Sequence, residues 1–229
     1  ITGEGDPSFP ERFFETEYRL DFLLHTYPKP VICWGNGIVM GGGMGLLSAS
    51  SHRVVTETSR LAMPEVTIGL YPDVGASWFL NRLPNGAGRF LAMTGCQINA
   101  PDAVHLGLAD RCIASHHRDA MLQQLTDAQW GTGENTDANG VVNRIMRELE
   151  QTSQPVFAEM EAPVYQHSPL IRELMDHDSV EQIVAAITAV KSDNQWFGKA
   201  QKTLAHGSPV SVKLIDEQLK RAKHMSLAE

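Results

Sequence analysis

The residues best suited to chemistry are a run of three glycines and two carboxylates that follow it. The glycines are Gly41, Gly42 and Gly43, and the carboxylates are Glu65 and Asp73. Glycines at the start of a helix leave backbone amides uncovered, and such amides can bind an oxyanion. Carboxylates in a mostly apolar setting can act as nucleophiles, acids or bases. Together these parts are suited to acyl chemistry.

Each of these features also has a purely structural interpretation. The glycine run, residues 41–43, would equally permit a tight turn and close helix packing. Asp73 could be the N-cap of a helix over residues 74–83. Glu65 could be a solvated carboxylate in a turn, although its neighbours Ala-Met-Pro and Val-Thr-Ile-Gly-Leu are unusually apolar for one. The residues alone leave these alternatives open.

The sequence contains no pattern typical of a phosphate loop, a metal site or a disulfide. No Lys follows the glycine run at the position that a GxxxxGK[ST] loop requires. The pair His116-His117 has no acidic or cysteine residue near it that could complete a metal site. The cysteines, Cys33, Cys96 and Cys112, lack C-x-x-C spacing, and Cys33 is predicted to be a small buried hydrophobe. We therefore expect no metal ion and a reducing compartment.

Size and charge set broad limits on the function. The chain has 229 residues, 42% of them hydrophobic, which is enough for one domain with a full core, with or without a smaller appendage. No apolar run approaches the length of about 18 residues that a membrane span needs. The 19 basic and 27 acidic residues give a net charge of −8. This balance argues against nucleic acid as a partner, while a local basic patch could still receive an anionic ligand.

Strands and helices are predicted to alternate around the candidate residues. Hydrophobic periodicity, turn residues and caps mark their bounds. The predicted elements are helix 13–27, strand 29–34, extended segment 38–40, helix 44–50, strands 52–57 and 60–63, helices 74–83, 86–94 and 99–107, and strand 108–113.

The remainder of the chain is predicted to be mainly helical. Residues 130–140 are rich in Gly, Thr, Asn and Asp and indicate a linker, and residues 151–169 are predicted to be irregular because they contain prolines. The predicted helices are 115–129, 141–149, 170–175, 180–191, 197–205 and 208–225. Residues 1–10 indicate a loose loop without the features of a signal peptide. Since there is no initiator Met, we expect the chain to be a piece of something longer.

Several segments resemble the crotonase (enoyl-CoA hydratase/isomerase) superfamily. The resemblance is close over residues 13–113 and looser to the end, and it rests on segments 29–46, 62–65, 68–75, 99–113 and 208–213. It implies an α/β fold of the ClpP/crotonase type, a β-β-α spiral with a helical C-terminal region. The implied spiral core covers residues 1–129 without its N-terminal strands, and the implied helical region covers residues 141–229.

Within the superfamily, the chain is most similar to the 3-hydroxyisobutyryl-CoA hydrolases at two positions, Gly45 and Asp73. Hydratases carry a second Glu at the place of Gly45 and usually Gly at the place of Asp73. Dienoyl-CoA isomerases share the Asp but carry another acid at the place of Gly45. The resemblance therefore implies an enzyme that hydrolyses a short-chain 3-hydroxyacyl-CoA thioester, foremost 3-hydroxyisobutyryl-CoA of valine catabolism. The alternatives are an enoyl-CoA hydratase/isomerase and a catalytically silent acyl-CoA-binding module.

The same resemblance implies roles for individual residues. The catalytic residues would be Glu65, which attacks the thioester or activates water, Asp73, which orients water or the substrate hydroxyl, and Gly42, whose amide donates to the thioester oxygen. Two nearby carboxylates would raise the pKa of one of them. Substrate would be bound by Glu17, Gly41 and Gly42. Glu17 could instead be a first-turn carboxylate favoured by the helix dipole.

The resemblance further implies parts that this sequence lacks and partners that it would have. The first oxyanion amide and the strands that hold the CoA adenine would precede residue 1, and a last helix would follow residue 229. We therefore expect residues 1–229 alone to be unable to hydrolyse acyl-CoA. The partner is acyl-CoA, whose CoA is part of the substrate, with no other cofactor, no nucleic acid and no membrane. A homo-oligomer stays open, and the implied location is the bacterial cytoplasm or the mitochondrial matrix of a eukaryote.

Overall fold

A computed structural model describes residues 8–131 and 137–228, in which short parallel strands alternate with helices. The strands are β1 Ile32–Gly35, β2 Ile38–Met40, β3 His52–Val55, β4 Arg60–Ala62 and β5 Arg111–Cys112. The helices are α1 Phe9–His25, α2 Gly42–Ala49, α3 Ala76–Leu80, α4 Ala87–Thr94, α5 Ala100–His105, α6 Arg118–Asp127, α7 Ala138–Phe157, α8 Pro163–Gln166, α9 Ser168–Met175, α10 Val180–Ala189, α11 Gln195–His206 and α12 Pro209–Ala222. Short 3₁₀ helices cover Glu65–Ile68, Pro84–Gly86 and Ser115–His117.

Consecutive strands enter different sheets, so that the chain advances as a spiral. Strands β1, β3 and β5 form one parallel sheet in the order β1-β3-β5, and β2 pairs in parallel with β4 in a second sheet. Helix α2 follows the first pair of strands, and the 3₁₀ helix at Glu65–Ile68 and α3 follow the second pair. This arrangement confirms the predicted β-β-α repeat.

Strand β3 separates two hydrophobic clusters because successive side chains of a strand point to opposite faces. Val54 packs into a cluster with Ile113 and with residues of α6 and α7. Val55 belongs to the larger cluster on the other face. Both valines are fully buried, so β3 is the centre of the sheet in packing as well as in strand order.

The larger cluster extends into the C-terminal helices. Its members include Phe90 of α4, Ile183 of α10, Phe197 of α11 and Ile215 of α12, all nearly or fully buried. Residues from both the region 1–129 and the region 141–229 pack in this one core. The division of the chain into these two regions stays a prediction.

Several predicted boundaries are wrong, and tertiary contacts explain the largest differences. Helix α7 covers Ala138–Phe157 instead of 141–149, because its inward face stays buried as far as Ser153 and Pro155 lies only in its last turn. Part of the segment 151–169 that was predicted to be irregular is therefore helical, as are α8 and α9. Strand β5 begins at Arg111, later than predicted. The backbone amide of Arg53 in the neighbouring strand donates to the Asp110 carboxylate at 2.7 Å and not to a backbone carbonyl.

Of the predicted loops at residues 1–10 and 130–140, residues 1–7 and 132–136 lie outside the described residues, and residues 138–140 already belong to α7. Helix α1 already begins at Phe9, four residues earlier than predicted. In the described parts of the chain, no helix combines the length and apolar character needed to cross a membrane. The three cysteines are free, and Cys33 is half-buried rather than fully buried as predicted.

Candidate active site

Glu65 is a buried carboxylate at the end of the second strand pair. Pro64 and Glu65 follow β4, and Glu65 opens the 3₁₀ helix that covers Glu65–Ile68. Glu65 is only 7% exposed, and its Oε2 has no hydrogen-bond partner within the described part of the chain. The interpretation of Glu65 as a solvated turn residue is therefore wrong.

Burial changes the acidity of Glu65. Removal from water disfavours the charged form and raises the pKa of the Glu65 carboxyl from its ordinary value of 4.5 to about 7. A hydrogen bond from its own backbone amide opposes this shift, and the negative charge of Asp73 adds to it. Near neutral pH this carboxyl can therefore both accept and donate a proton.

The glycine run turns the chain from β2 into α2 directly against Glu65. Gly41 has a φ of +53°, in the left-handed region that favours glycine. Its carbonyl accepts the first helical bonds, from the amides of Met44 at 2.8 Å and Gly45 at 3.3 Å. A Cβ on Gly41 would lie 3.4 Å from Glu65 Oε1. Helix α2 thus begins beside this carboxyl, and its first amides have no acceptor within the helix.

Glu17 approaches the same glycine run from helix α1. A Cβ on Gly42 would collide with Glu17 Oε1, so the carboxylate occupies the space that a side chain at this position would fill. Burial, followed by the charge of Asp73, raises the pKa of Glu17. The interpretation as a first-turn carboxylate is wrong, because α1 begins at Phe9 and the acidic residue of its first turn is Glu11.

Asp73 is held by a tyrosine rather than by a helix terminus. The Tyr18 hydroxyl donates a hydrogen bond of 2.8 Å to Asp73 Oδ2. Helix α3 is shorter than predicted, and its N-cap is Gly75, with φ +78° and no side-chain cap. The predicted N-cap role of the Asp73 side chain is therefore wrong, and the physical reason is the competing phenol on α1.

Sequence reasoning missed two residues of this group, Tyr18 and Asp21. Burial, followed by the bond to Asp73, raises the pKa of Tyr18, so its hydroxyl keeps its proton and donates. Asp21 lies one helical turn after Glu17, and residues four apart share a helix face. An acidic residue, Asp21, on the predicted apolar face of helix 13–27 was the sequence feature that could have indicated its place in the site.

Asp21 is nearly as buried as Glu65. Its residue is 8% exposed, and neither carboxyl oxygen has a hydrogen-bond partner among residues 8–131 and 137–228. A Cβ on Gly45 would come within 2.9 Å of Asp21 Oδ2. Burial raises the pKa of Asp21 to about 6, and the charges of Glu17 and Asp73 act in the same direction.

The structure thus brings all the predicted site residues together and adds two. Four carboxyl groups interact electrostatically in one place at the start of α2, those of Glu17, Asp21, Glu65 and Asp73. A cavity of about 470 Å³ between α1 and α2 is lined by Glu17 and Gly42 together with the apolar Phe13, Leu20 and Leu46. Uncovered amides beside carboxyls of raised pKa can stabilise developing negative charge and move protons. No group of three His, Cys, Asp or Glu in the described ranges is arranged to hold a metal ion.

Comparison with known proteins adds sequence relatives that are consistent with this arrangement. The sequence profile described as enoyl-CoA hydratase/isomerase matches residues 2–229. The chain is 34% identical, over 99% of its length, to the mitochondrial 3-hydroxyisobutyryl-CoA hydrolase of Danio rerio. It is 30% identical, over 98% of its length, to the small ribosomal subunit protein mS47 of Arabidopsis thaliana. The chain spans only 57% and 53% of the lengths of these relatives, respectively.

Two solved structures share the fold over nearly the whole chain. A carnitinyl-CoA dehydratase from Mycobacterium thermoresistibile superposes with a TM-score of 0.81 at 31% identity, covering 98% of this chain and 61% of that one. An enoyl-CoA hydratase from Rhodobacter sphaeroides superposes with a TM-score of 0.77 at 28% identity, covering 98% of this chain and 59% of that one. The spiral of strands and the helical C-terminal part of this chain therefore have the same fold as the matching parts of these two proteins.

Proposed function

The chain belongs to the enoyl-CoA hydratase/isomerase family and has its crotonase-like fold, and from this premise we propose that the protein hydrolyses a short-chain 3-hydroxyacyl-CoA thioester. We expect 3-hydroxyisobutyryl-CoA to be the substrate and 3-hydroxyisobutyrate and CoA to be the products. The name of the Danio rerio relative supports this substrate. Asp73, in combination with Gly45, supports hydrolysis over hydration.

One observation carries the proposal: the buried Glu65 carboxyl, whose Oε2 has no hydrogen-bond partner among the described residues, lies against Gly41 at the start of α2. In the proposed mechanism the Gly42 amide donates to the thioester oxygen as negative charge develops there. Glu65 attacks the thioester carbon or removes a proton from the water that attacks it. Asp73, held by Tyr18, orients this water or the substrate hydroxyl.

The products of the two routes are the same. The carbon–sulfur bond breaks, the oxygen of one water enters the acid, and CoA leaves as the thiol. Because Glu65 must be ionised in both routes and its pKa is about 7, the rate is expected to rise with pH through neutrality and then level off.

The direct test is release of free CoA thiol from 3-hydroxyisobutyryl-CoA by the full-length protein. We expect Glu65→Ala to lower kcat at least about 100-fold, in the range typical of a lost general base. Asp73→Gly is expected to lower it less. The matched control is Glu15→Gln, which alters an exposed carboxylate of α1 that pairs with Arg19 and is expected to leave the rate unchanged.

Two other outcomes would replace the proposal. Asp21 places a carboxyl where a side chain at position 45 would lie, which is a specific reason to test for a hydratase. Hydration of crotonyl-CoA without thiol release would identify one.

The relative named as a ribosomal subunit protein is a reason to test for a silent acyl-CoA-binding module. Intact affinity for acyl-CoA, with no turnover and no effect of Glu65→Ala on it, would identify that.

The remaining expectations belong to the same proposal. The reaction needs no cofactor, because CoA is part of the substrate, and acyl-CoA is the partner, with self-association left open. The Danio rerio relative is named as mitochondrial, which supports a mitochondrial location if the source is a eukaryote, and the bacterial cytoplasm is the alternative. Because the chain spans only 57% of the length of the Danio rerio relative, we expect residues 1–229 alone to release no CoA, and full turnover by these residues would overturn this expectation.

A further inference from the structure

We propose that Asp21 determines specificity in this site, because its carboxyl group binds the hydroxyl of a short hydroxyacyl chain. The inference rests on the proposed function for the identity of the ligand as an acyl-CoA. It adds to the five residues to which the family resemblance assigns roles, since the sequence patterns suggested no role for Asp21.

The first observation is an unsatisfied polar group in a buried place. Asp21 is 8% exposed, and both of its oxygens lack a hydrogen-bond partner in the described part of the protein. Buried carboxyl oxygens are normally hydrogen-bonded, because leaving them unpaired forfeits their hydration. Asp73, by contrast, already accepts the Tyr18 hydroxyl. Of these two carboxyls, Asp21 therefore has the larger unused capacity for a ligand.

The second observation is a small cavity that Asp21 lines. It has a volume of about 120 Å³, which is room for a few heavy atoms, and Tyr18, Val74, Trp78 and Phe79 form other parts of its wall. Val74 follows Asp73 in the chain, and Tyr18 bonds to Asp73. The cavity therefore adjoins the carboxylate to which the proposed mechanism assigns the orientation of water or hydroxyl.

The third observation explains how Asp21 reaches this position. Gly45 has no side chain, and a Cβ there would lie 2.7 Å from Val74 Cβ and 2.9 Å from Asp21 Oδ2. Val74 has a φ of +46°, which is a strained conformation for a β-branched residue. The carboxyl of Asp21 and the side chain of Val74 thus close on the same empty space above α2.

The composition of the wall matches a hydroxylated short chain better than a plain one. The lining residues include apolar valine, tryptophan and phenylalanine, and also Asp21, Tyr18, His25 and Ser48, whose side chains have polar atoms. A carboxyl can accept from a hydroxyl when ionised and can also donate to it when protonated. Either form gives Asp21 a bond to the hydroxyl that an unsubstituted acyl chain would not make.

The test is the affinity of two non-hydrolysable CoA thioethers for the full-length protein. One carries a 3-hydroxyisobutyryl-like chain, and the other carries the same chain without the hydroxyl. We expect wild type to bind the hydroxylated analogue about tenfold or more tightly than the other, the usual effect of one hydrogen bond to a buried partner. Asp21→Leu should abolish this preference, and Asp21→Asn, which keeps hydrogen-bonding atoms, should retain most of it.

The ratio of the two affinities separates recognition from a structural role. A merely structural Asp21 would change both affinities in proportion, and this outcome would overturn the inference. So would an unchanged preference in Asp21→Leu, or a wild type without preference. Glu15→Gln on the same helix is the control and is expected to leave the ratio unchanged. Because the analogues are not hydrolysed, a protein that releases no CoA thiol would contradict the proposed function and leave this readout intact.

Discussion

Glycine at position 42 makes room for a carboxylate that belongs to another helix. Glu17 Oε1 occupies the place of the missing Cβ, and the amide of the same glycine opens α2. The absence of a side chain therefore serves both the exposure of the amide and the approach of α1. Close packing and the proposed oxyanion role of Gly42 therefore both depend on the absence of a Cβ atom at this position.

We predict that Gly42→Ala displaces the Glu17 carboxylate and weakens acyl-CoA binding. The added methyl group cannot share the position of Glu17 Oε1, so the flexible end of the Glu17 side chain must rotate away from the start of α2. We expect acyl-CoA affinity, measured by calorimetry, to fall about tenfold or more.

Gly43→Ala is the matched control for that substitution. A Cβ at residue 43 would lie 3.8 Å from Val39 Cγ1, an ordinary contact, and alanine favours a helix by up to about 1 kcal/mol over glycine. Its effect on affinity should be clearly smaller. Equal losses in the two variants would contradict the assignment of the space at residue 42 to Glu17.

At the scale of elements, helix α12 is attached to α4 by a largely buried ion pair. Asp216 of α12 binds Arg89 of α4 and also Lys220, at 2.9 Å for the latter. Arg89 in addition donates to the carbonyl of Met175 at 3.3 Å, at the end of α9. One arginine thus connects three helices, two of which come from the C-terminal part of the chain.

We predict that Asp216→Ala destabilises the fold by about 3 kcal/mol, because it leaves the Arg89 guanidinium in a poorly hydrated place without its carboxylate. The measurement is the free energy of unfolding in urea. Glu217→Ala, one residue further, is the control, since Glu217 forms an exposed pair with Arg221. That pair is worth only about 0.3–0.5 kcal/mol. Similar losses in both variants would show that the contact between Asp216 and Arg89 does not stabilise the packing of α12.

At the scale of the whole molecule, the buried acids oppose stability near neutral pH. The pKa of Glu65 is about 7 in the folded protein and is expected to return to about 4.5 on unfolding. Between these values the folded state holds a proton that the unfolded state has released, so unfolding is favoured as pH rises. The stability that belongs to the protonated carboxyl is therefore present at low pH and lost as pH rises through about 7.

We predict that Glu65→Gln gains stability relative to wild type as pH rises from 5 to 8. The gain is limited to about 3 kcal/mol, since one pKa unit corresponds to about 1.4 kcal/mol. Urea unfolding at several pH values measures it. The exposed substitution Glu15→Gln should follow the wild-type curve. A difference between Glu65→Gln and wild type that does not grow with pH would show that Glu65 is ionised in the fold at all these values.

The sequence alone determined the elements whose signals are local. The starts of strands β3 and β4 and of helices α5 and α12 were predicted within one residue from local β-propensity and turn residues. The structure shows that the Asn99 and Ser208 side chains cap these two helices by accepting from the amides of Asp102 and Ser211. The residues at the candidate site, Glu65 foremost, were also identifiable, because glycine and carboxylate types restrict the chemistry they can support. The superfamily resemblance supplied the order of the spiral.

Only the tertiary structure decided what surrounds each carboxylate. Asp73 has the local signature of an N-cap, yet its partner is Tyr18, 55 residues earlier. Asp21 lay unnoticed on an amphipathic helix, although the space above Gly45 makes it a member of the site. The physical reason is that burial and hydrogen-bond partners, which set the pKa and reach of an acid, come from elements distant in sequence. Spacing along one helix can place Asp21 on the same face as Glu17, but it does not show which distant elements bury that face or bond to it.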